Sequence, residues 1–371
     1  MDSIGKNEQI LEASNGQNNE VLISNINKKM EELNYEEIKK TLSIWNSLLS
    51  KYLTQEIFEE YKDKKTQLWT TLFDIIKSCI KHPNSKVGIY AWDAESYNTF
   101  QKIFTPIIED FHWVDTDTIY DWKLEPITLN LRIDPKSYID MRMRMWANLK
   151  WRFPSTQTLE DRKNIEKEVS QILENNFGWK YFSAKETAPE KWKERGEKGR
   201  GFPLEDAYLK DAGVITDFRP EWSGIWMDNP ENPSTIIIIN EEDHIRFTWF
   251  GRDMQKIYNN VANIYNKLDE ELEFAKHKKY GNLGSCPSNI GHMFKSWLRI
   301  SFPKIQQQYP LEELKKIAKE YGCEIRGKWW ESSKSFDVIE VSNSKRFMSP
   351  QDAVIKRSEL LNRLTDMEKS I

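Results

Sequence analysis

Residues 235–247, TIIIINEEDHIRF, decide how the second half of the chain is read. Four successive isoleucines make a β-branched run of strand length that is apolar on both faces, which suits a strand buried within a sheet. The run stops at Asn240, passes through Glu241, Glu242 and Asp243, and resumes with Ile245, Arg246 and Phe247. Carboxylates at the end of a buried strand are solvated, paired or functional. An acidic turn capping the next element is the plain alternative. His244 in the same turn reads as structural rather than as a base.

Working outward, YIDMRMRMW (138–146), HIRFTWF (244–250), SWLRISF (296–302) and SFDVIEVSN (335–343) also read as strands. Period-two alternation puts Arg142 and Arg144 on one face of the first and Met141, Met143 and Met145 on the other. Two guanidiniums separated by about 7 Å of strand rise suit a polyphosphate, whose oxygens match the Arg fork. A solvated edge face is the competing reading. Lys295, Trp297 and Arg299 likewise share a face and suggest anion binding. QKIYNNVANIYNKLDEELEFAK (255–276), PLEELKKIAKEYG (310–322) and SPQDAVIKRSELLNRLTDMEK (349–369) read as helices, the last capped by Ser349 with Pro350 at its first position.

The first half differs. In KKTQLWTTLFDIIKSCI (64–80), Leu68, Leu72, Ile75, Ile76, Cys79 and Ile80 recur at intervals of three and four, giving one apolar stripe with Cys79 in the core. The expected fold class is α+β: a small all-α N-terminal domain, then a larger domain with a mostly antiparallel sheet flanked by helices. Residues 1–24 read as a mobile polar tail, 25–125 as the helical domain and 126–371 as the larger one. Residues 186–201, ETAPEKWKERGEKGRG, are charged and Gly-bearing and read as a mobile loop.

Composition narrows the function. The 371 residues carry 54 Lys plus Arg against 58 Asp plus Glu, so a net charge of −4 gives no bulk argument for nucleic acid or a membrane surface. Cys79, Cys286 and Cys323 are widely spaced and suggest neither a disulfide framework nor a zinc site. With no long apolar run and no targeting signature at the N-terminus, a cytoplasmic location is expected. No GxxxxGK[ST] occurs, which argues against a Walker-type nucleotide site. In 284–302, Ser288 stands where its hydroxyl could lower the pKa of Cys286, an inert buried thiol being the alternative.

These segments, in this order, resemble the phosphagen (ATP:guanidino) kinase family. NEEDHIR (240–246) is similar to its substrate-acid signature and CPSNIG (286–291) to its reactive-cysteine loop. SKYLTQEIFEEYKDKKTQLW (50–69), VGIYAWDAESY (87–97) and PIIEDFH (106–112) resemble the arginine kinase branch, and the likeness covers roughly residues 45–371. The resemblance implies a glutamine-synthetase/guanidino-kinase-like catalytic domain and phosphoryl transfer from ATP to a guanidino substrate, L-arginine by this branch, with ATP/ADP and Mg2+. It implies that Ser85, Lys86, Val87, Gly88 and Tyr90 hold the substrate carboxylate, and that Glu242 and Glu331 grip the guanidinium with Cys286 against it as a thiolate. Arg142, Arg144, Arg246, Lys295 and Arg326 would surround the phosphates, Lys295 replacing an arginine, while Glu241 organises magnesium through water. A monomer and a homodimer both remain open.

The likeness departs around the nucleotide. Gly-Arg-Ser has become Trp146, Ala147 and Asn148; a further glycine is Trp151; Lys328, Trp329 and Trp330 replace small residues. Histidines expected beside adenine are Arg299 and Ala207, and an arginine is Ser223. Indoles at glycine positions either obstruct the approach of backbone amides to phosphate or stack on adenine. A weakened or inactive homologue that binds nucleotide or a partner is therefore the competing function.

Overall fold

The computed structural model describes residues 34–371 except 45, 83, 115–122, 135, 151, 203, 215–220, 328–337 and 345. The N-terminal tail, Trp151, Lys328, Trp329, Trp330 and Glu331 thus lie outside the described residues.

The first part is helical: α1 (Tyr35–Leu42), α2 (Leu48–Tyr52), α3 (Gln55–Tyr61), α4 (Leu72–Lys81), α5 (Ser96–Thr99) and α6 (Gln101–His112). Side chains fix the helix starts. Thr71 and Asp74 form a reciprocal capping box that begins α4 at Leu72, so Leu68 falls in the preceding turn and not in the stripe expected of it. Leu72, Ile75, Ile76 and Cys79 are buried as expected. Their core also takes in Phe153, Tyr280, Leu283, Ile290 and Phe347 from later in the chain, so the helical unit shares its hydrophobic interior with loops of the larger one.

Next come β1 (Tyr138–Ala147), α7 (Leu159–Phe177), β2 (Lys180–Ser183), α8 (Pro189–Glu197), α9 (Ala207–Asp211), β3 (Gly224–Met227), β4 (Thr235–Ile239), β5 (Ile245–Gly251) and α10 (Met254–Leu272). The chain continues through the short pair β6 (Lys276–His277) and β7 (Gly281–Asn282), then β8 (Phe294–Ile300), α11 (Pro303–Gln308), α12 (Leu311–Glu320), β9 (Cys323–Gly327), β10 (Ile339–Asn343) and α13 (Pro350–Ser370). Eight strands form one antiparallel sheet in the order β2-β3-β4-β5-β1-β8-β10-β9. This is the α+β arrangement expected from the sequence.

Pleating gives the sheet two chemically different faces. Met141, Met143, Met145, Ile237, Ile239, Phe247, Trp249 and Leu298 share a core with residues of α7, α10 and α13. Each fully buried aliphatic side chain of this kind contributes about 1.5–3 kcal/mol. The opposite face carries a smaller apolar cluster with Ile225, Ile236 and Ile238 beneath Trp192 and Phe202. β4 is therefore apolar on both faces, as its isoleucines require.

Residues 186–201 depart from the expected loop. Pro189 opens α8, Trp192 is buried, and its indole N–H donates to Phe202 O at 3.0 Å. One anchoring tryptophan secures a helix whose other residues are mostly exposed and charged. No described helix is long and apolar enough to cross a membrane.

Candidate active site

Strand register gathers the cations. Asp140, Arg142, Arg144 and Trp146 alternate along the face of β1 opposite its methionines. Arg142 is paired with Trp297 and Phe250, Arg144 with Lys295 and Thr248, Trp146 with Arg246, and Asp140 with Arg299. Glu340 lies between Arg299 and Arg326, so the five cations expected around the phosphates share this face with Arg299.

Their electrostatics record the crowding. Burial, Arg142 and Arg246 pull the Arg144 guanidinium down to about 9, and burial pulls Lys295 down to about 8. The Nε atoms of Arg144 and Arg246 are buried and have no hydrogen-bond partner among the described residues. Facing cations repel, and a polyanion between them relieves that repulsion. Trp297 lies beside two of them, its ring centroid 4.7 Å from the Arg142 guanidinium and 5.7 Å from that of Arg144. Lys295 Nζ donates to Asn343 O. Arg299 forms two bonds to the Asp140 carboxylate, its Nε at 2.6 Å from Oδ1.

The acid turn joins β4 to β5, and its carboxylates have different fates. Glu241 is buried and pairs with Arg246 at 2.8 Å. Burial, reinforced by Asp243 and Glu241, pushes Glu242 up to about 8. Asp243 is also raised by burial, although it accepts from Asn148 Nδ2 and from Ser285 N. Asn148 Oδ1 accepts the His244 N–H at 2.9 Å, so this departure from the family pattern holds the turn from both sides. His244 Nδ1 accepts the Leu149 N–H at 2.9 Å, and burial drops the ring to about 3. A neutral, internally bonded imidazole is structural, as expected. Behind the turn, buried Arg162 donates to Ser223 Oγ, Glu221 O and Asn240 O. A guanidinium from α7 thus reaches Ser223, where the family pattern puts an arginine.

Cys286 and Tyr90 complete the other side. Cys286 Sγ lies 3.0 Å from Ser288 Oγ. That contact favours the thiolate, but burial and Glu242 outweigh it and push the thiol up to about 12. Burial and Glu242 thus work against the expected thiolate, and an added positive charge beside the sulfur, such as a guanidinium, would favour it. Cys286 and Glu242 are electrostatic neighbours of the Tyr90 hydroxyl, which burial raises well above the ordinary tyrosine value. Before Tyr90, Lys86 O and Val87 O accept from Leu48 N and Leu49 N, and the Ser85 hydroxyl accepts from Gly88 N at 3.2 Å. Gly88 has φ +90°, and a Cβ there would sit 2.6 Å from Leu49 Cβ, so this loop needs glycine.

Glu242, Cys286 and Tyr90 thus come together at the end of the cationic face, while Glu331 lies outside the described residues. Two neighbours carried no sequence signal. Asp206 acts on both Glu242 and Tyr90. Arg346 is half-buried, lies 5.2 Å from the Trp146 ring centroid, and feels Glu242 and Cys286. It follows β10 in a basic loop with no periodicity to mark it. Among the described residues no group of three or more His, Cys, Asp or Glu can hold a metal ion unaided. A magnesium ion bound with nucleotide phosphates would meet Glu241, the carboxylate that pairs with Arg246 on the cationic face.

The ATP:guanido phosphotransferase C-terminal catalytic domain model matches residues 162–371, and the N-terminal domain model of the same family matches 43–109. Arginine kinases from Penaeus vannamei (Lit v 2) and Eriocheir sinensis are each 30% identical over 337 residues, 88% of this chain and 93% of theirs. Among solved structures, lombricine kinase superposes with a TM-score of 0.79 at 22% identity, covering 89% of this chain and 93% of that one. The duplicated taurocyamine kinase from Schistosoma mansoni, with bound transition-state analogue components, gives 0.76 at 25% identity over 91% of this chain and 48% of its own. Taken with the site geometry, these matches make the chain a member of the ATP:guanido phosphotransferase family, the phosphagen kinases.

Proposed function

We propose that this protein reversibly transfers the γ-phosphoryl group of ATP to a guanidino substrate, and that the substrate is L-arginine. The observation that carries this reading is the junction at residues 241–246. Glu241 pairs with an arginine of the cationic face, while its neighbour Glu242 is grouped with Cys286 and Tyr90. A phosphate on Arg142, Arg144 and Arg246 would lie next to a guanidinium on Glu242. Arginine as substrate is supported by 87–97 and by the arginine kinases that are 30% identical.

Phosphoryl transfer through a loose transition state asks for alignment and charge stabilisation more than covalent chemistry. Glu242, with Glu331 four residues beyond the end of β9, would orient the attacking nitrogen, an effect that can supply up to about 7–11 kcal/mol. Glu242 is also suited to accept its proton once a bound guanidinium has displaced the proton that burial holds on the carboxyl. Arg142, Arg144, Arg246, Lys295 and Arg326 would stabilise the phosphates. Magnesium, when bound, neutralises phosphate charge.

A second reading is a homologue with weakened turnover, favoured by Trp297 against Arg142 and Arg144 and by the engagement of Arg299 with Asp140. A panel of arginine, creatine, taurocyamine and glycocyamine with ATP and magnesium, followed by ADP release, separates them. The first reading expects arginine to be fastest. Thermal protection by ATP with no turnover on any of the four compounds would favour the second.

A further inference from the structure

Cys286 belongs to the larger part of the chain, yet its loop is tied to the helical part at three adjoining positions. The Tyr97 hydroxyl donates to Gly284 O at 2.7 Å. The Ala91 N–H donates to Ser285 O at 2.7 Å. His112 Nε2 lies 2.7 Å from Pro287 O. These contacts fall two residues before the cysteine, one before it and one after it. A carbonyl only accepts, so His112 Nε2 carries the proton; burial drops this ring to about 4, which keeps it neutral at pH 7. Both side chains are held in place. Tyr97 is fully buried against Phe104 and Tyr280, and His112 lies against Phe111 and Phe347.

The same helical part carries the 85–90 loop. Ala91, whose N–H reaches Ser285, directly follows Tyr90, and the Tyr90 N–H is itself bonded to Ile75 O at 3.0 Å on α4. The loop assigned to the substrate carboxylate and the loop carrying the thiol are therefore joined through a few short hydrogen bonds to buried groups. A join of this kind fixes the spacing between the two ends of a substrate, because close-packed interiors transmit displacement instead of absorbing it.

We propose that Tyr97 and His112 are positioning residues that hold the Cys286 loop at a set distance from the 85–90 loop, and thereby fix the length of guanidino acid that the site accepts. The part about length rests on the function proposed above; the part about the thiol does not.

The test uses the full chain as Y97F, H112A, H112Q and the Y97F/H112A pair, each first checked for native circular dichroism. Y97F removes one hydroxyl, and the glutamine amide of H112Q can replace the ring N–H. Alkylation of Cys286 by iodoacetamide at pH 8 is followed by mass spectrometry, alone and with increasing arginine or homoarginine, one methylene longer. The paired variant is expected to react at least about tenfold faster than the parent, with H112Q restored to within about threefold of it. The preference for arginine over homoarginine in protecting the thiol is expected to fall by about tenfold in the pair. Folded variants that alkylate at the parental rate would overturn the positioning role, and an unchanged preference would overturn the claim about length even if the thiol reacts faster. Failure of arginine to protect the parent protein would count against the proposed function and the length claim together, leaving the alkylation rates to decide the positioning role.

Discussion

The two ends of the site have fared differently. At the end proposed for the guanidino group, Glu242, Cys286, Tyr90 and Gly88 match the family pattern, with the Gly88 N–H bonded to Ser85 and Cys286 against Ser288. At the nucleotide end, Trp146, Lys295 and Arg299 replace other residues, and three large groups are already engaged: Trp146 with Arg346, Lys295 with Asn343 O, and Arg299 with Asp140. A substrate pocket depends on a few atoms at fixed spacing, whereas a polyphosphate is held by summed charge that tolerates exchange of the groups supplying it. On this view the nucleotide face has changed its side chains while keeping its sign.

The largest break in that comparison comes where the two ends meet. Arg246→Met removes the partner of buried Glu241 and is expected to destabilise the fold by about 3–5 kcal/mol, read as a lower denaturant midpoint. Arg144→Met is expected to act in two opposite directions. It removes a crowded, desolvated cation, so thermal stability holds or rises, but ATP affinity falls about 10–100-fold for the loss of one charge-assisted contact of about 1.5–3 kcal/mol. Loss of both stability and binding would mean that Arg144 supports the fold instead of the ligand.

The guanidino end predicts a proton signature. Glu242 sits at about 8 in the folded protein against an ordinary 4.5, so between these values the folded state binds more protons than the unfolded state. Stability contributed by this group is present below pH 4.5 and is lost as pH rises through 8. Glu242→Gln should therefore flatten the decline in melting temperature between pH 6 and 8. A bound guanidinium lowers the same pKa, so arginine binding near pH 7 should release up to about one proton, measured by calorimetry in buffers of different ionisation enthalpy. The smallest effect is expected of Lys295→Arg, which restores a fork at a crowded position. ATP affinity should improve by no more than about tenfold.

Much of this was legible because alternation along one strand fixes its faces. The methionine–arginine alternation of β1 and the isoleucines of β4 told which side chains point together. The pairing of Asp140 with Arg299 was not legible, because cross-strand register depends on two segments 159 residues apart. α8 was missed because a charged segment with one buried tryptophan has no stripe to reveal it. The opposition to a Cys286 thiolate was not legible for a third reason. Ser288 is visible two residues away in sequence, whereas the opposing burial and Glu242 exist only in the folded chain.

The most direct test of the account compares the parent protein with Glu242→Gln in a coupled ADP assay containing ATP, magnesium and L-arginine, alongside the melting shift caused by ATP. The account predicts turnover in the parent, loss of at least about a hundredfold in the variant, and the same ATP-induced shift in both. Full activity in the variant, or a parent that binds ATP without transferring phosphate to arginine, would contradict it.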